Sequence, residues 1–316
     1  MAVPSGTAKL SDIRTEWDRT GSISMSEMYR GGTYVKGNAS DNTAVNLAAD
    51  VPTTGTISID DFRGEAKGWR KTYTATATDQ DASAIFGDDY DVDYPKEIVI
   101  NSGVELGATS TSQEALHIDA GGVGTITVTN NGTITGAGGA AGADGGDAFE
   151  AEVACIVINN GTIRAGGGGG GTGGSGNYQS GNSFIGQGYG LAWNNCNISC
   201  TQRHGAGTFC DPGCGSNCNC QGWGYHCNDC RRYNYTSTSG GAGGVGAGYN
   251  QSAGSGSAGG TNAGSGGAGG AFGAAASSGA NGNVGNGAAG GAAGNYIRGN
   301  SNVTLTNNGT LTGSIV

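Results

Sequence analysis

The sequence predicts a mainly β protein with a small N-terminal α/β module, a β-repeat region and a glycine-rich, polyglycine II-like tip that carries a Cys-rich loop. Three observations lead to this fold class. Glycine supplies 67 of the 316 residues, an Asn-Gly turn motif recurs at a fixed interval, and eight of the nine cysteines lie together. The predicted boundaries are 1–66 for the module, 67–165 for the repeats and 166–316 for the tip, with the Cys-rich insertion at 177–239.

The composition argues against an ordinary hydrophobic core as the main source of stability. Only 35% of the residues are hydrophobic and 7% are aromatic, which is far from a typical globular domain. Each ordered glycine loses about 1–2 kcal/mol of backbone entropy on folding and buries no side chain in return. We therefore expect dense main-chain hydrogen bonding, and covalent or metal cross-links, to hold much of the chain.

The charge of the chain sets nucleic-acid binding aside. The formal net charge is −10 and the pI is near 4.6, whereas proteins that bind a phosphate backbone concentrate Lys and Arg on one face. The first residues contain neither the basic nor the apolar segment of a signal peptide, and no apolar run reaches the length of a membrane-spanning helix. Neither export by a signal peptide nor a membrane span is expected.

The N-terminal module contains three related segments, which begin at Ser5, Thr20 and Thr54. Each has a Ser/Thr-Gly turn, a short alternating strand, and a Ser or Asp followed by an acidic and then an apolar residue. The last feature is typical of a helix N-cap and first turn. An arginine closes each segment, either as a solvated helix end or as a docking contact: Arg14, Arg30 and Arg63.

A second repeat family predicts the β-strand region. Apolar and β-branched residues surround an Asn-Asn-Gly or Asn-Ser-Gly turn in the segments 98–107, 126–136, 156–165 and 303–313. Gly103, Gly132 and Gly161 follow one another at intervals of 29 residues, and Gly309 comes 148 residues after Gly161. A fixed period indicates equivalent, stacked strand units interrupted by a long insertion. An Asn-Gly turn fits either a two-residue hairpin or a solenoid corner, and both alternatives stay open.

Glycine runs at 136–146, 166–176 and 240–294 follow these turns. Glycine-rich chain can form an extended helix with three residues per turn and a rise of about 3.1 Å, whose backbone groups bond neighbouring helices. By that rise, a run of 11 residues spans about 34 Å. A flexible linker is the alternative that such a composition usually indicates. Because the runs begin directly after strand turns, we predict a packed polyglycine bundle.

Eight cysteines lie within the predicted insertion, whereas Cys155 stands alone in a predicted strand as a small apolar residue. Four disulfides would stabilise a segment that is poor in apolar side chains, but the spacing does not fix their pairing. Zinc coordination that includes His204 and His226 is the alternative. The clustered residues are Cys196, Cys200, Cys210, Cys214, Cys218, Cys220, Cys227 and Cys230.

Aromatic residues of the same insertion are the candidates for contacts with a binding partner. Rigid amphipathic rings bind at a low entropy cost, although the same rings would also serve as a small core for the loop. The candidates are Trp193, Phe209, Trp223, Tyr225, Tyr233 and Tyr235.

No catalytic site and no cofactor are predicted. The sequence contains no nucleophile elbow, no His-Glu-x-x-His motif and no phosphate-binding loop that ends in Lys-Ser/Thr. The acidic stretch 79–93 lacks the ligand spacing of an EF-hand, so a solvated charge run is expected in preference to a Ca²⁺ site. Glu150 and Glu152, or the acidic stretch itself, are candidate carboxylates for glycoside cleavage, but surface acids are the expected interpretation.

Three parts of the sequence resemble phage proteins. Residues 9–13, 23–32 with its Tyr-Arg-Gly-Gly tetrapeptide, and 55–62 are similar to the N-terminal segment of many phage tail-fibre and tail-tip proteins. Residues 99–139 resemble the glycine-rich distal regions of tail fibres, and the C-terminal glycine mixture is similar in character to adhesins built on bundled polyglycine helices. The eight clustered cysteines depart from that pattern.

The resemblance implies a virion protein of the phage tail that is assembled in the host cytoplasm. Its N-terminus would attach to other tail or baseplate proteins, and its tip would bind a glycan or outer-membrane protein on the host cell. A homotrimer is expected from such fibres. The alternatives are a tailspike-like enzyme that degrades polysaccharide and an intermediate fibre or baseplate subunit without receptor binding.

Overall fold

The computed structural model describes residues 2–186 and 230–316, together with strand pieces at 198–200, 203–204 and 226–227; side chains are described for 2–181 and 234–316. In this part of the chain no helix is long and apolar enough to cross a bilayer.

Residues 2–68 form the N-terminal module around helix α1 (Leu10–Glu16), the 3₁₀ turns Met25–Glu27 and Ile59–Phe62, and strand β1 (Val45–Asn46). The apolar residue of each sequence repeat is fully buried in one cluster: Ile13, Met28 and Phe62. Each of the three repeats therefore contributes one buried side chain to a common core.

Each of the three helical turns is closed by an acidic side chain that reaches back to the residue before the turn. Asp12 accepts from the Lys9 amide at 2.8 Å, and Glu27 accepts from the Ser24 amide at 2.9 Å. The third turn repeats this bond between the Ser58 amide and Asp61 at 2.7 Å. The three predicted helical turns are thus observed, but each begins two residues earlier than predicted, with Lys9, Ser24 and Ser58 as the N-caps. The segments before them are extended but pair with no strand among the described residues.

From Trp69 onward, three stacked parallel sheets form a β-helix of five coils. Helix α2 (Ala82–Phe86) and a 3₁₀ turn (Gly87–Asp89) follow the first coil. The strands of coils 1 to 3 are β2 (Trp69–Tyr73), β3 (Ala77–Thr78) and β4 (Gln80–Asp81); β5 (Lys96–Ile100), β6 (Glu105–Gly107) and β7 (Leu116–Ile118); β8 (Ile126–Asn130), β9 (Thr133–Thr135) and β10 (Phe149–Ala151).

A long insertion divides coil 4, which begins with β11 (Cys155–Asn159) and β12 (Thr162–Arg164). The insertion contains β13 (Gly176–Gly186), β14 (Ile198–Cys200), β15 (Arg203–His204), β16 (His226–Cys227) and β17 (Cys230–Thr238). Coil 4 closes with β18 (Asn295–Ile297), and after a 3₁₀ turn (Asn300–Asn302), coil 5 contains β19 (Val303–Asn307), β20 (Thr310–Thr312) and β21 (Ser314–Ile315). Residues 295–316, which the sequence assigned to the tip, therefore lie in the β-helix.

The sheet order follows the coils. Sheet I is β2-β5-β8-β11-β19 with β1 antiparallel at its edge, and sheet II is β3-β6-β9-β12-β20. Sheet III contains β4-β7-β10 and the pair β18-β21, which the Glu150–Arg298 bridge connects to β10. The Asn-Gly turns join sheet I to sheet II, so they are solenoid corners and not hairpins.

Two asparagine ladders run along these corners. In the buried ladder the Asn130 amide donates to Asn159 at 2.8 Å, and the Asn159 amide donates to Asn307 at 2.7 Å. The outer ladder connects the next residue of each turn, with Asn160 donating to Asn131 at 2.9 Å. Each ladder joins residues 29 or 148 positions apart, which explains the sequence period physically.

Inward-facing aliphatic residues fill the β-helix in register. In sheet I, Ile98 pairs with Val128, which pairs with Val157, and all three are fully buried. Leu106, Ile134 and Ile163 form the equivalent buried row of sheet II. These rows supply the conventional hydrophobic core, and the glycine-rich parts of the chain lie outside it.

The glycine runs leave the β-helix at one corner, between sheets II and III. The connection there is Asp79 alone in coil 1, and it lengthens to 108–115, 136–148 and 165–294 in the next three coils. Run 166–176, here called the central run, is surrounded by other runs. Its amides and carbonyls together bond six neighbours: 136–142, 143–146, 241–247, 264–270, 274–280 and 288–294.

Hydrogen bonds between the runs recur at every third residue. Gly170 donates to Gly244 at 2.7 Å, and Gly173 donates to Gly241 at 2.8 Å. The central run therefore directs amides to three sides in turn, as a three-residue-per-turn extended helix requires. The glycine runs form a main-chain lattice, as the packed-bundle prediction proposed, and the described runs do not act as a linker.

Aromatic residues at the end of the lattice nearest the β-helix pack against the coils. The Tyr249 ring covers Gly107 of β6, where a methyl group would overlap the ring. Phe272 lies under the Arg164 guanidinium, with 3.8 Å from Cζ to the ring centroid. The opposite end of the lattice therefore points away from the coils.

Candidate functional site

The end of the lattice farthest from the β-helix forms a compact surface, which we call the apex. It consists of the turns 260–263 and 281–285 together with residues 175–178 and 238–239, where the Cys-rich insertion leaves and re-enters the lattice. The runs that bring these segments together are hydrogen-bonded along their lengths, so the apex is built on a braced support.

Three asparagines join the segments of the apex. The side-chain oxygen of Asn283 accepts from the main-chain N–H of Asn177 at 2.8 Å, and the side-chain nitrogen of Asn283 donates to the side-chain oxygen of Asn177 at 3.0 Å. Asn262 donates to the Asn177 main-chain carbonyl at 2.9 Å. Asn262 has a φ of 61°, a conformation that asparagine tolerates better than most residues. These side chains hold two turns against the root of the insertion.

An antiparallel ribbon of β13 and β17 rises from the apex. Gly176 lies opposite Thr238 at its base, and the Thr238 hydroxyl donates to the Thr261 carbonyl at 2.7 Å. The ribbon carries the Cys-rich segment between its two strands. The root of that segment is therefore tied directly to a lattice turn.

The apex exposes uncharged side chains. Tyr178 is 37% exposed, Tyr235 on the ribbon is 52% exposed, and Val284 at the tip of a turn is 61% exposed. The sequence has no Asp, Glu, Lys or Arg between Arg164 and Arg203, and none between Arg232 and Arg298. The described apex can therefore recognise a partner through amide hydrogen bonds, aromatic stacking and apolar contact.

The structure describes few of the residues that the sequence nominated for partner contacts. Tyr235 lies on β17 beside the apex and is half exposed. Tyr233 is a backbone position of the same strand, opposite Asn182, and its side chain lies outside the described part. Trp193, Phe209, Trp223 and Tyr225 also lie outside the described residues.

Among the clustered cysteines, Cys200, Cys227 and Cys230 are strand positions, and Cys200 lies opposite Cys230 in the backbone register of β14 and β17. Their side chains lie outside the described part. The other five clustered cysteines lie wholly outside the described residues: Cys196, Cys210, Cys214, Cys218 and Cys220. Disulfide bonding of the cluster, with metal ligation as its alternative, stays a prediction.

Cys155 on β11 is buried as a free thiol at 5% exposure. Burial raises the pKa of this thiol to about 11. The thiol is therefore protonated at neutral pH, as expected for a residue that acts as a small apolar side chain.

Sequence reasoning missed the three apex asparagines because they sit inside low-complexity glycine stretches. The available signal was that Asn262 and Asn283 interrupt the Gly/Ala/Ser pattern where a run has to reverse. Asparagine is typical of turn positions with positive φ. Their convergence on Asn177, which is 85 and 106 residues away, depends on the lattice and could not be inferred locally.

The chain is similar to known proteins in sequence and in structure. A sequence model of the family described as phage tail fibre adhesin Gp38 matches residues 69–316. The crystal structure of the gp37-gp38 adhesin tip complex of the bacteriophage S16 long tail fiber is similar at 17% identity and a TM-score of 0.40, over 85% of this chain and 91% of that chain. No match was found among curated proteins.

Proposed function

The chain belongs to the phage tail fibre adhesin family Gp38 and is a receptor-binding component of the phage tail fibre; from this we propose that residues 1–66 attach it to the fibre and that the apex contacts the host cell. The observation that carries the proposal is the lattice, which ends in a braced, uncharged surface remote from the coils. A preorganised surface loses little conformational entropy when it binds.

The attachment half of the proposal is supported by the position of the N-terminal module. The family match begins at Trp69, the first residue of β2, and the module covers the coil 1 edge of sheet I through β1. A separate unit at this end leaves the apex free. We also propose partners among phage tail fibre proteins, and a homotrimer, which light scattering of the purified chain would test.

A photo-crosslinking experiment tests the orientation. A photoreactive amino acid replaces either Val45 in the module, which is 63% exposed, or Val284 in the apex, which is 61% exposed. Particles labelled at position 45 should crosslink to a tail fibre protein, and particles labelled at position 284 should crosslink to a host surface molecule after adsorption. The reverse pattern would contradict the proposed orientation.

A matched pair of substitutions tests receptor contact. Val284→Asp places a charge on the apex, whereas Val123→Asp places the same charge on an exposed turn of the β-helix, where Val123 is 41% exposed. Adsorption to host cells should fall at least about tenfold for Val284→Asp, which corresponds to about 1.4 kcal/mol of binding free energy. Adsorption should be unchanged for Val123→Asp. Equal adsorption of both variants would show that the apex is not part of the contact surface.

The size of host polysaccharide after incubation tests the alternative that the chain is a polysaccharide-degrading enzyme. Glu150 and Glu152 lie on and beside β10, where Arg298 contacts Glu150 and the Ala120 amide donates to Glu152 at 2.9 Å. We expect host polysaccharide to keep its size after incubation with the purified chain. Shortened polymer, with the loss of that activity in Glu150→Gln, would favour the degrading enzyme.

A further inference from the structure

A row of ionisable side chains crosses sheet III at the corner from which the glycine runs leave. Asp81 on β4 pairs in register with His117 on β7, and His117 pairs with Glu150 on β10. Arg298 follows in coil 4 through its bridge with Glu150. Four successive coils thus contribute one ionisable residue each to a single row.

Carboxylates outnumber cations around this row. Arg298 contacts Glu150 and Glu114, the latter at 2.5 Å, and it lies 3.4 Å from Asp147. The guanidinium therefore offsets the charge of one of these three carboxylates on the coil 3 side of the cluster. At the coil 1 side, Asp81 and Asp119 both face Nδ1 of His117, and no described Lys or Arg contacts either of them.

The spacing of these three groups fits bonds to a shared ion better than direct hydrogen bonds. Nδ1 of His117 lies 3.6 Å from Oδ1 of Asp81 and 3.4 Å from Oδ1 of Asp119, longer than the usual N–H···O bond. Tetrahedral ligands about 2.1 Å from a zinc ion lie about 3.4 Å from one another. All three ligand atoms fall within 4.8 Å of each other.

Second contacts hold the ligands in this arrangement. The other carboxylate oxygen of Asp119 accepts from the Ser83 amide at 2.8 Å, and the Asp119 main-chain carbonyl accepts from the Tyr90 hydroxyl at 2.5 Å. Nε2 of His117 is buried without a hydrogen-bond partner and faces Glu150 at 3.7 Å. A histidine that binds metal through one nitrogen commonly presents its other N–H to a carboxylate.

We propose that Asp81, His117 and Asp119 bind one divalent transition-metal ion, for which zinc is the probe. An imidazole with two carboxylates suits zinc and its neighbours, whereas calcium and magnesium prefer oxygen ligands alone. The ion joins coil 1 to coil 2 beside helix α2, at the base of the corner that carries the lattice. It stabilises the β-helix and takes no part in receptor contact.

The charges of the cluster are consistent with this assignment. The carboxylates of Asp81 and Asp119 face the same nitrogen of His117, so they repel each other when no cation lies between them. A bound dication removes that repulsion.

Zinc titration of the full chain tests the proposal. The chain is treated with chelator, its free thiols are alkylated so that the cysteine cluster does not bind metal, and zinc chloride is added with calorimetry and thermal unfolding as readouts. We expect one zinc equivalent and a rise in Tm, both lost in Asp81→Asn and in His117→Gln. Calcium chloride should reproduce neither effect.

Asp79→Asn is the matched control, because it removes the same charge two residues from Asp81 at a residue that binds Thr109 instead. This variant should keep the zinc equivalent and the rise in Tm. Cobalt added in place of zinc should give visible bands without a thiolate charge-transfer band. If Asp81→Asn binds zinc as the unsubstituted chain does, or if the alkylated chain binds none, the proposal is overturned.

Discussion

Gly169 shows why the lattice needs glycine at particular positions. Its amide donates to Ala143 at 2.7 Å, and an added methyl group would overlap the main-chain carbonyl of Ala140. The obstruction is backbone and not a flexible side chain, so neighbouring runs would have to separate. At buried lattice positions of this kind, the absence of a side chain is what allows the main chains to bond.

Gly169→Ala should lower the free energy of unfolding by about 1–3 kcal/mol, the usual cost of overpacking a filled interior. Gly181→Ala is the control, because nothing lies within 4 Å of the added methyl group at that position. The control should change stability by less than about 0.5 kcal/mol, or stabilise slightly by restricting the unfolded chain. Urea unfolding measures both, and equal values would show that the lattice tolerates side chains at Gly169.

The buried asparagine ladder supports a second residue-scale prediction. Asn159 is fully buried beside the equally buried Asn130, so Asn159→Ala removes an acceptor of the Asn130 side-chain amide inside the coils. We expect a loss of about 1–3 kcal/mol. Asn160→Ala removes a rung of the exposed ladder and should cost less than about 1 kcal/mol. If thermal unfolding gives the reverse order, the buried ladder is not the stabilising one.

At the residue scale, local turn chemistry was predictable and long-range convergence was not. Asn-Gly at 131–132 and 160–161 indicated turns from the sequence alone, because those residue types tolerate turn backbones. His117 and Asp81, by contrast, are 36 positions apart in sequence and meet only because the coils stack. No local pattern marks such a pair.

Among the elements, the N-terminal module and the β-helix meet at Tyr94. This side chain packs against both hydrophobic clusters, and its hydroxyl donates to the Tyr34 carbonyl in the module. Burial raises the pKa of Tyr94 to about 12 from an ordinary value of 10. The phenol therefore reports on the interface between the two parts.

The raised pKa of Tyr94 makes the free energy of unfolding depend on pH. The stabilising contribution of neutral Tyr94 is fully present below pH 10, where the unfolded phenol is also protonated, and it is lost as the pH rises from about 10 to 12. Urea unfolding at pH 9 and pH 11 should show this loss for the unsubstituted chain and a smaller loss for Tyr94→Phe. Identical pH dependence in both chains would mean that Tyr94 is not buried at this interface.

The period of 29 residues was sufficient to predict stacked strand units, because each interval equals one coil. It could not distinguish a hairpin from a corner, since both use Asn-Gly at the turn. The partner of each strand decides that question, and β8 pairs with β5 and β11 instead of β9. The strands expected in the module failed to form because the segment before each turn has no neighbouring strand with which to pair.

At the scale of the whole molecule, the chain separates two ways of building a rigid body. The coils use aliphatic side chains in register, and the lattice uses main-chain hydrogen bonds with almost no side chains. The glycine content predicted the second part, because main-chain bonding is what remains when side chains are absent. The apex lies at the end of that part, so its rigidity depends on the lattice.

Amide hydrogen exchange across 166–176 and 240–294, followed by mass spectrometry on the full chain, tests the lattice most directly. We predict that amides bonded between runs, such as those of Gly170 and Gly267, exchange many times more slowly than the same amides would in an unstructured peptide. Exchange throughout both segments at the rate of an unstructured peptide would contradict the lattice and remove the support on which the apex depends.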